Sequence, residues 1–276
     1  AEDASVAVAP VVEPPRGQMA QGDIPPATED RVVAAEKEEK VFSAPEPEPF
    51  EPGRFDSNGV MRCRKIPETR IASLLTLARL WIPDAQQWEE IFGGLSAPVT
   101  KEKLIEVFEP YGLTPISWST NLAMVRAIDL PVMAEVYEGA LFVPQYIAVI
   151  GLDEGRLIAA DPLEGLTSMD EQEFGRKWFG RLTVLVPKSV RPEAILGPGS
   201  QGEEVRLLQG RLKRLGFFDA QPSGYFGGYT EQQVRRFQQK NYIKIDGLVG
   251  LETNLVLFSR LAGVDAPRLA SLGEVK

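Results

Sequence analysis

The sequence predicts an α+β domain followed by a small three-helix bundle, with a Pro/Glu-rich tether in front. Three observations carry this. Residues 55–190 read as apolar helical stripes first and short β-branched runs afterwards. Within residues 191–276 one pattern is written twice, as "GYFGGYT" at 224–230 and "GLVGLET" at 247–253, both G-x-Φ-G-x-x-T with Φ apolar. Residues 1–54 are dominated by Pro, Glu and Ala, as in "APEPEPFEP", and have too little apolar surface to offset chain entropy. They read as a disordered or extended tether, stiffest in the Pro-Glu alternation.

In the middle region, Ile71, Leu74, Leu75, Leu77, Ala78 and Trp81 form a helical stripe that ends at Pro83. "TKEKLIEVFEPYGL" predicts a second helix, capped by Thr100 and stopped at Gly112, and a shorter one starts near Thr120. "PVMAEVY", "QYIAVIGL", "RLIAAD" and "RLTVLVP" predict a small, mainly antiparallel sheet. Between the last two strands, Ser168 and Glu171 are spaced as a capping box opening another helix. In the last region, Val205, Leu208, Leu212 and Leu215 mark one helix, stopped by Gly216. Thr230 with Gln233 is expected to cap the second, and Thr253 the third. Each doubled turn would then bend the chain, bury one apolar residue and deliver a threonine cap. Gln209 and Gln238, beside core positions Leu208 and Phe237, are expected to serve packing or turn hydrogen bonds.

Composition removes several functions. The 276 residues contain no histidine, which excludes Ser-His-Asp and Cys-His catalysis and any zinc site built on imidazole. The single cysteine, Cys63, allows no intrachain disulfide. A net charge of -9 opposes general affinity for nucleic acid or anionic membranes. No apolar run approaches the roughly eighteen residues that span a bilayer, and no signal peptide opens the chain, which is expected to be cytosolic or a mature or excised piece.

The glycines, the Leu208-Gln209 and Phe237-Gln238 pairs, Leu215-Gly216-Phe217 and Asp246-Gly247 together resemble the peptidoglycan-binding domain of many cell-wall hydrolases. Ser223 stands where that family often has Asp, and Gly228 and Leu251 where it usually has Pro. The resemblance implies a ligand in the glycan or stem peptide of the wall. Aromatic faces suit sugar rings and arginines suit stem carboxylates, which makes Tyr225, Tyr229, Arg235, Arg236, Gln239 and Asp246 the candidate contacts.

The order of elements in 55–190 resembles the papain-like C39 peptidases, in which a helix carries the nucleophilic cysteine, a strand opens with His-Tyr and Asp-Pro follows the next strand. Here "ASLLTLARLW" continues the helix, and the nucleophile position falls at Glu68 to Thr69. Gln145-Tyr146 stands at the histidine, and Asp161-Pro162 is retained. Thr69, Gln145 and Asp161 thus read as a degenerate catalytic set, since glutamine can neither take a proton nor stabilise a thiolate by charge.

A degenerate C39-like domain joined to a peptidoglycan-binding domain resembles the periplasmic half of the type II secretion assembly ATPase family, general secretion protein A. That resemblance implies a non-enzymatic periplasmic region of an inner-membrane-anchored protein, which helps the secretin assemble across the wall. The ATPase would lie in a domain this chain lacks, since no Walker motif is present. The implied partners are peptidoglycan, a general secretion protein B-type protein and the secretin, with self-association left open and no cofactor or metal. Two other readings stay open at this stage. One is a wall hydrolase using carboxylates such as Glu68, Glu135 and Asp161, since a glycosidase needs two facing carboxylates. The other is a protein-interaction adaptor with a repurposed bundle.

Overall fold

The structure is a computed structural model that describes residues 55–95, 101–139, 143–153, 155–190, 194–263 and 266–269. The expected tether (1–54) and the expected cap Thr100 lie outside the described residues. All described residues fall in one compact unit.

The apolar stripe after Glu68 forms helix α1 (Thr69–Trp81), which buries Leu74, Leu75, Leu77 and Ala78. A short helix α2 (Ala85–Gly94) follows, and it places Trp88 against Phe55 at 4.9 Å between ring centres. Helix α3 (Lys101–Phe108) tightens into a 3-10 turn and stops at Gly112, whose φ of 66° is left-handed. Next come strand β1 (Leu113–Ser119) and helix α4 (Leu122–Ile128), whose cap Asn121 accepts the Met124 N–H. Strands β2 (Val132–Tyr137), β3 (Pro144–Asp153), β4 (Arg156–Asp161) and β5 (Gly165–Asp170), then helix α5 (Glu171–Lys177) and strand β6 (Trp178–Pro187), complete this half.

The six strands form one antiparallel sheet in the order β1-β6-β2-β3-β4-β5. Met133, Ala148, Ala160 and Leu185 join the cluster of α1 on one face. Val132, Ala134, Ile147, Val149, Leu157 and Ala159 join the cluster that includes α4. The sheet and helices are the α+β arrangement that the sequence predicts.

Three elements escaped the sequence reading: α2, β1 and β5. One cap also differs. Ser168 lies in β5 and its hydroxyl receives the Arg156 guanidinium at 2.9 Å, whereas Asp170 caps α5 by accepting the Glu173 N–H at 2.7 Å. The acidic side chain wins because it meets the helix N-terminus as a charge as well as an acceptor.

The C-terminal bundle consists of α6 (Glu203–Arg214), α7 (Gly228–Lys240) and α8 (Leu251–Ala262). Its threonines do not cap. The N-caps of α7 and α8 are Gly227 and Gly250, and Thr230 and Thr253 sit three residues inside. Gln233, the other half of the expected box, accepts from Arg236 instead, at 2.8 Å. What holds each turn is a buried glutamine from the preceding helix. The Gln209 carbonyl accepts the Gly224 N–H (2.9 Å), while its amide donates to Tyr225 O (2.9 Å) and Thr230 Oγ1 (3.0 Å). Gln238 repeats the arrangement with Gly247 N–H (2.9 Å), Leu248 O (2.9 Å) and Thr253 Oγ1 (3.2 Å). Phe226 and Val249, the Φ residues, are fully buried.

The bundle packs on the sheet half. Trp81 of α1 stacks on Phe258 of α8, with ring centres 6.3 Å apart. Arg260 donates to Ala127 O at 3.1 Å, and Glu252 accepts from Trp118 Nε1 (3.2 Å) and Thr120 Oγ1 (2.7 Å). Leu255, Val256 and Leu257 are successive and all buried, so α8 is enclosed on more than one side.

Gln238→Ala leaves the Gly247 N–H without its buried partner and the Leu248 carbonyl with only the Thr253 hydroxyl, at 3.3 Å. We expect a loss of about 3 kcal/mol, at roughly 1–3 kcal/mol for each unsatisfied group, measured by urea unfolding of the whole chain. Gly247→Ala should also destabilise. The φ of 73° there is strained for any side chain, and an added Cβ would lie 2.9 Å from Arg235 Nε and Glu231 Cγ.

Candidate functional site

Two places collect the residues singled out by sequence. The first is the start of α1. Thr69 is fully buried, and its hydroxyl donates to Ile66 O (2.7 Å) and accepts the Tyr146 N–H (3.0 Å). Gln145 opens β3 and donates through Nε2 to Asp161 Oδ2 at 3.0 Å. The other Asp161 oxygen accepts the N–H groups of Leu163 (2.7 Å) and Glu164 (3.3 Å). The fold thus brings Gln145 and Asp161 into contact. Thr69 joins the same strand through the neighbouring residue, Tyr146.

Chemically, this set has no strong proton acceptor beside the Thr69 hydroxyl, whose hydrogen is directed to a carbonyl. Cys63 lies nearby, with its N–H on Pro162 O at 3.0 Å and its Sγ 3.6 Å from Lys65 O. Burial first, then the Glu68 carboxylate and to a lesser degree Asp161, push its thiol up to about 11 against the opposing Lys65 carbonyl contact and Arg62. That is the reverse of an activated cysteine. The three carboxylates considered for hydrolysis are held by separate donors. Glu68 accepts the backbone N–H groups of Arg64 and Lys65, Glu135 accepts the hydroxyls of Tyr137 and Tyr146, and Asp161 accepts Gln145.

The second place is the turn-bearing face of the bundle. Tyr225 and Tyr229 are exposed, and the Tyr229 ring rests 5.2 Å from that of Phe218. Arg235 is already engaged, with Glu231 (2.9 Å) and with Ile245 O (3.1 Å), so it braces the second turn. Arg236 reaches Gln233, and Gln239 is exposed. Asp246 accepts the Leu248 N–H and the Gln238 amide, both at 2.9 Å, and lies 3.4 Å from Lys244. In the first turn Ser223 does the corresponding work, accepting the Tyr225 N–H at 3.2 Å. Burial alone would raise the Asp246 carboxyl, but Leu248, Gln238 and Lys244 outweigh it and hold it below the usual range.

The sequence reading missed several features here. Tyr242, 88 % exposed, adopts a left-handed φ of 57° just after α7, where a glycine is the usual residue. Ile245 and Leu248 are exposed apolar side chains beside the second turn. A cavity of about 240 Å³ lies there, lined by Trp118 of β1 together with Ile243, Lys244, Asp246, Leu248 and Glu252. Its aromatic wall comes from a strand that the Pro115-containing sequence concealed.

Residues 201–257 match the family model described as "Putative peptidoglycan binding domain", a range that holds both turns, α6, α7 and the first half of α8. Over these residues the bundle is similar to that domain, and it follows a half built of helices and one antiparallel sheet. More particularly, the chain is similar to "Putative general secretion pathway protein A" of Escherichia coli K12, at 25 % identity over 155 residues, covering 56 % of this chain and 31 % of that protein. It is also similar to the spore cortex-lytic enzyme of Bacillus cereus, at 40 % identity over 63 residues, covering 23 % of this chain and 24 % of the enzyme. The chain therefore spans no more than about a third of the length of these two relatives.

Among solved structures, a periplasmic domain of the EpsAB fusion protein of the Vibrio vulnificus type II secretion system overlays with a TM-score of 0.35 at 18 % identity, covering 59 % of this chain and 79 % of that one. The peptidase domain of Streptococcus ComA overlays with a TM-score of 0.36 at 20 % identity, covering 46 % and 96 %. Among the described residues, no helix is long and apolar enough to cross a membrane, and no cluster of three metal-ligating side chains occurs.

Two outcomes test these assignments. With its thiol near 11, Cys63 is about one part in ten thousand thiolate at neutral pH, so iodoacetamide should label the folded chain far more slowly than the urea-unfolded chain, followed by mass spectrometry. Asp246, held below its unfolded-state value, adds stability that is complete above pH ~4 and is lost as pH falls through its folded-state value. Asp246→Asn should flatten the stability–pH curve below about pH 4, measured by urea midpoints.

Proposed function

We propose that the chain is a non-catalytic, peptidoglycan-binding periplasmic module of a type II secretion protein, and that it helps assemble the secretin across the wall. The observation that carries this is the peptidoglycan-binding family match over residues 201–257, on a bundle whose two turns are held by the same glutamine arrangement. The similarity to general secretion pathway protein A supports the secretion context, and with it a periplasmic location and a general secretion protein B-type partner. In this reading residues 191–276 grip the wall and residues 55–190 are a degenerate C39-like domain that positions the grip. The sheet half offers neither a histidine nor an activated thiol.

Tyr225 and Tyr229 are assigned to sugar rings, and Arg236 and Gln239 to polar groups of the stem peptide. Arg235 and Asp246 contribute mainly by shaping the turn, since their polar atoms are already engaged.

Co-sedimentation of the whole chain with purified sacculi tests the reading. The chain should pellet at moderate salt, and the double substitution Tyr225→Ala/Tyr229→Ala should weaken binding by about tenfold or more, at roughly 1 kcal/mol for each lost aromatic contact. Retention in the supernatant would sink the proposal. Incubation with sacculi should release no soluble muropeptides. Release that Glu135→Gln or Asp161→Asn abolishes would establish the hydrolase reading instead.

A further inference from the structure

The sheet half holds a second cavity that the wall-binding reading does not use. It measures about 330 Å³ and is lined by Arg70, Glu135, Tyr146 and Arg181, with Ser117, Thr183 and the apolar Met133 and Leu182. Its walls come from neighbouring strands. Glu135 on β2 faces Tyr146 across the β2–β3 register, and Ser117 on β1 faces Thr183 on β6. Met133 belongs to the cluster of α1, so the cavity shares the sheet face that α1 covers, and Arg70 places it beside the first turn of that helix.

The polar groups are ordered rather than merely exposed. Each oxygen of Glu135 accepts one tyrosine hydroxyl, from Tyr137 at 2.6 Å and from Tyr146 at 3.0 Å. These hydrogen bonds keep both phenols protonated, with Tyr146 raised first by burial and Tyr137 first by its bond to Glu135. The carboxylate is thus fixed in place, and each oxygen keeps acceptor capacity for a further donor. Ser117 and Thr183 hydroxyls pair at 2.8 Å.

The two arginines are not consumed in the same way. Arg181 Nε is 4.0 Å from Glu135 Oε2, beyond hydrogen-bond distance, and Arg70 sits over the Tyr146 ring at 5.6 Å. Neither guanidinium donates a hydrogen bond to another described residue. The cavity therefore presents two guanidinium groups with open donors against one fixed carboxylate, a local excess of one positive charge. Guanidinium forks match carboxylates bidentately, and a fixed carboxylate matches an ammonium. The volume sits at the lower end for small-ligand sites and admits an amino acid or a dipeptide.

We propose that this cavity is a ligand site for the zwitterionic end of an amino acid or short peptide, its carboxylate taken by Arg70 and Arg181 and its ammonium by Glu135. The site is separate from the bundle face and stands whether or not the bundle grips the wall. Ser117 and Thr183 supply donors and acceptors for a peptide group, and Met133 contacts a small apolar side chain.

The test is an NMR titration of the whole chain with alanyl-alanine in both chiralities, its C-terminal amide and its N-acetyl derivative. The free dipeptide should shift the Leu182 and Thr183 backbone amides and saturate at about millimolar concentration, and each blocked form should bind about tenfold or more weakly. Arg181→Gln should abolish the shifts and Arg181→Lys should restore part of them. Arg181 is largely exposed, so both variants are expected to keep the fold, which circular dichroism checks. Alanine binding as tightly as the dipeptide marks a free amino acid as the ligand, and tighter dipeptide binding marks a peptide end. Equal shifts from the free and amidated dipeptides, or shifts unchanged in Arg181→Gln, would overturn the proposal. Sacculus co-sedimentation of Arg181→Gln reports separately on the bundle.

Discussion

The bundle depends on one side-chain amide used twice. A glutamine at the end of a Φ-Gln pair reaches from its helix into the next turn, accepts the N–H of a left-handed glycine and donates to the carbonyl one residue on and to a threonine hydroxyl. A turn this tight turns backbone polar groups inward, where each would be costly without a partner. The glutamine satisfies them from inside the core, so Phe226 and Val249 can be buried beside it. The helices α7 and α8 then start from glycines that need no side-chain cap.

The second constraint is the sharing of α8. Its apolar residues serve the bundle on one side and meet Trp81 and α4 of the sheet half on another, and the apolar cluster runs continuously from the sheet into the bundle. Glu252 joins the two halves through Trp118 and Thr120. The sheet half thereby contributes an aromatic wall to the cavity beside the second turn.

Much of this was legible in the sequence, for stated reasons. The doubled glycine pattern and the Φ-Gln pairs are fixed by backbone conformation and by a buried hydrogen-bond set, and both demand particular residue types. The helix stripes of α1 and α6 follow from periodicity. Gln145 and Asp161, set together in the sequence only by the resemblance to C39 peptidases, are in contact at 3.0 Å. The threonines misled because their hydroxyls suit a cap as well as an inward hydrogen bond, and only the third dimension supplies the competing donor. Strand β1 was hidden by Pro115, tolerated there because β1 is an edge strand. Strand β5, the other edge, alternates too weakly and carries too many polar residues to stand out. The Arg70–Glu135–Arg181 cavity could not be read at all, since it joins residues from α1, β2 and β6 whose spacing along the chain carries no pattern.

The short stretch ahead of α6 has a mechanical consequence. Leu196 pairs with Val249 of the second turn, and Gln201 with Tyr225 of the first, so one strand-like segment is stitched to both. A pull on the turn-bearing face would therefore load two sets of backbone hydrogen bonds and the α8 contact together. The bundle should behave as a stiff bracket whose orientation is set by the sheet, and tension at one end would arrive at the other with its direction preserved.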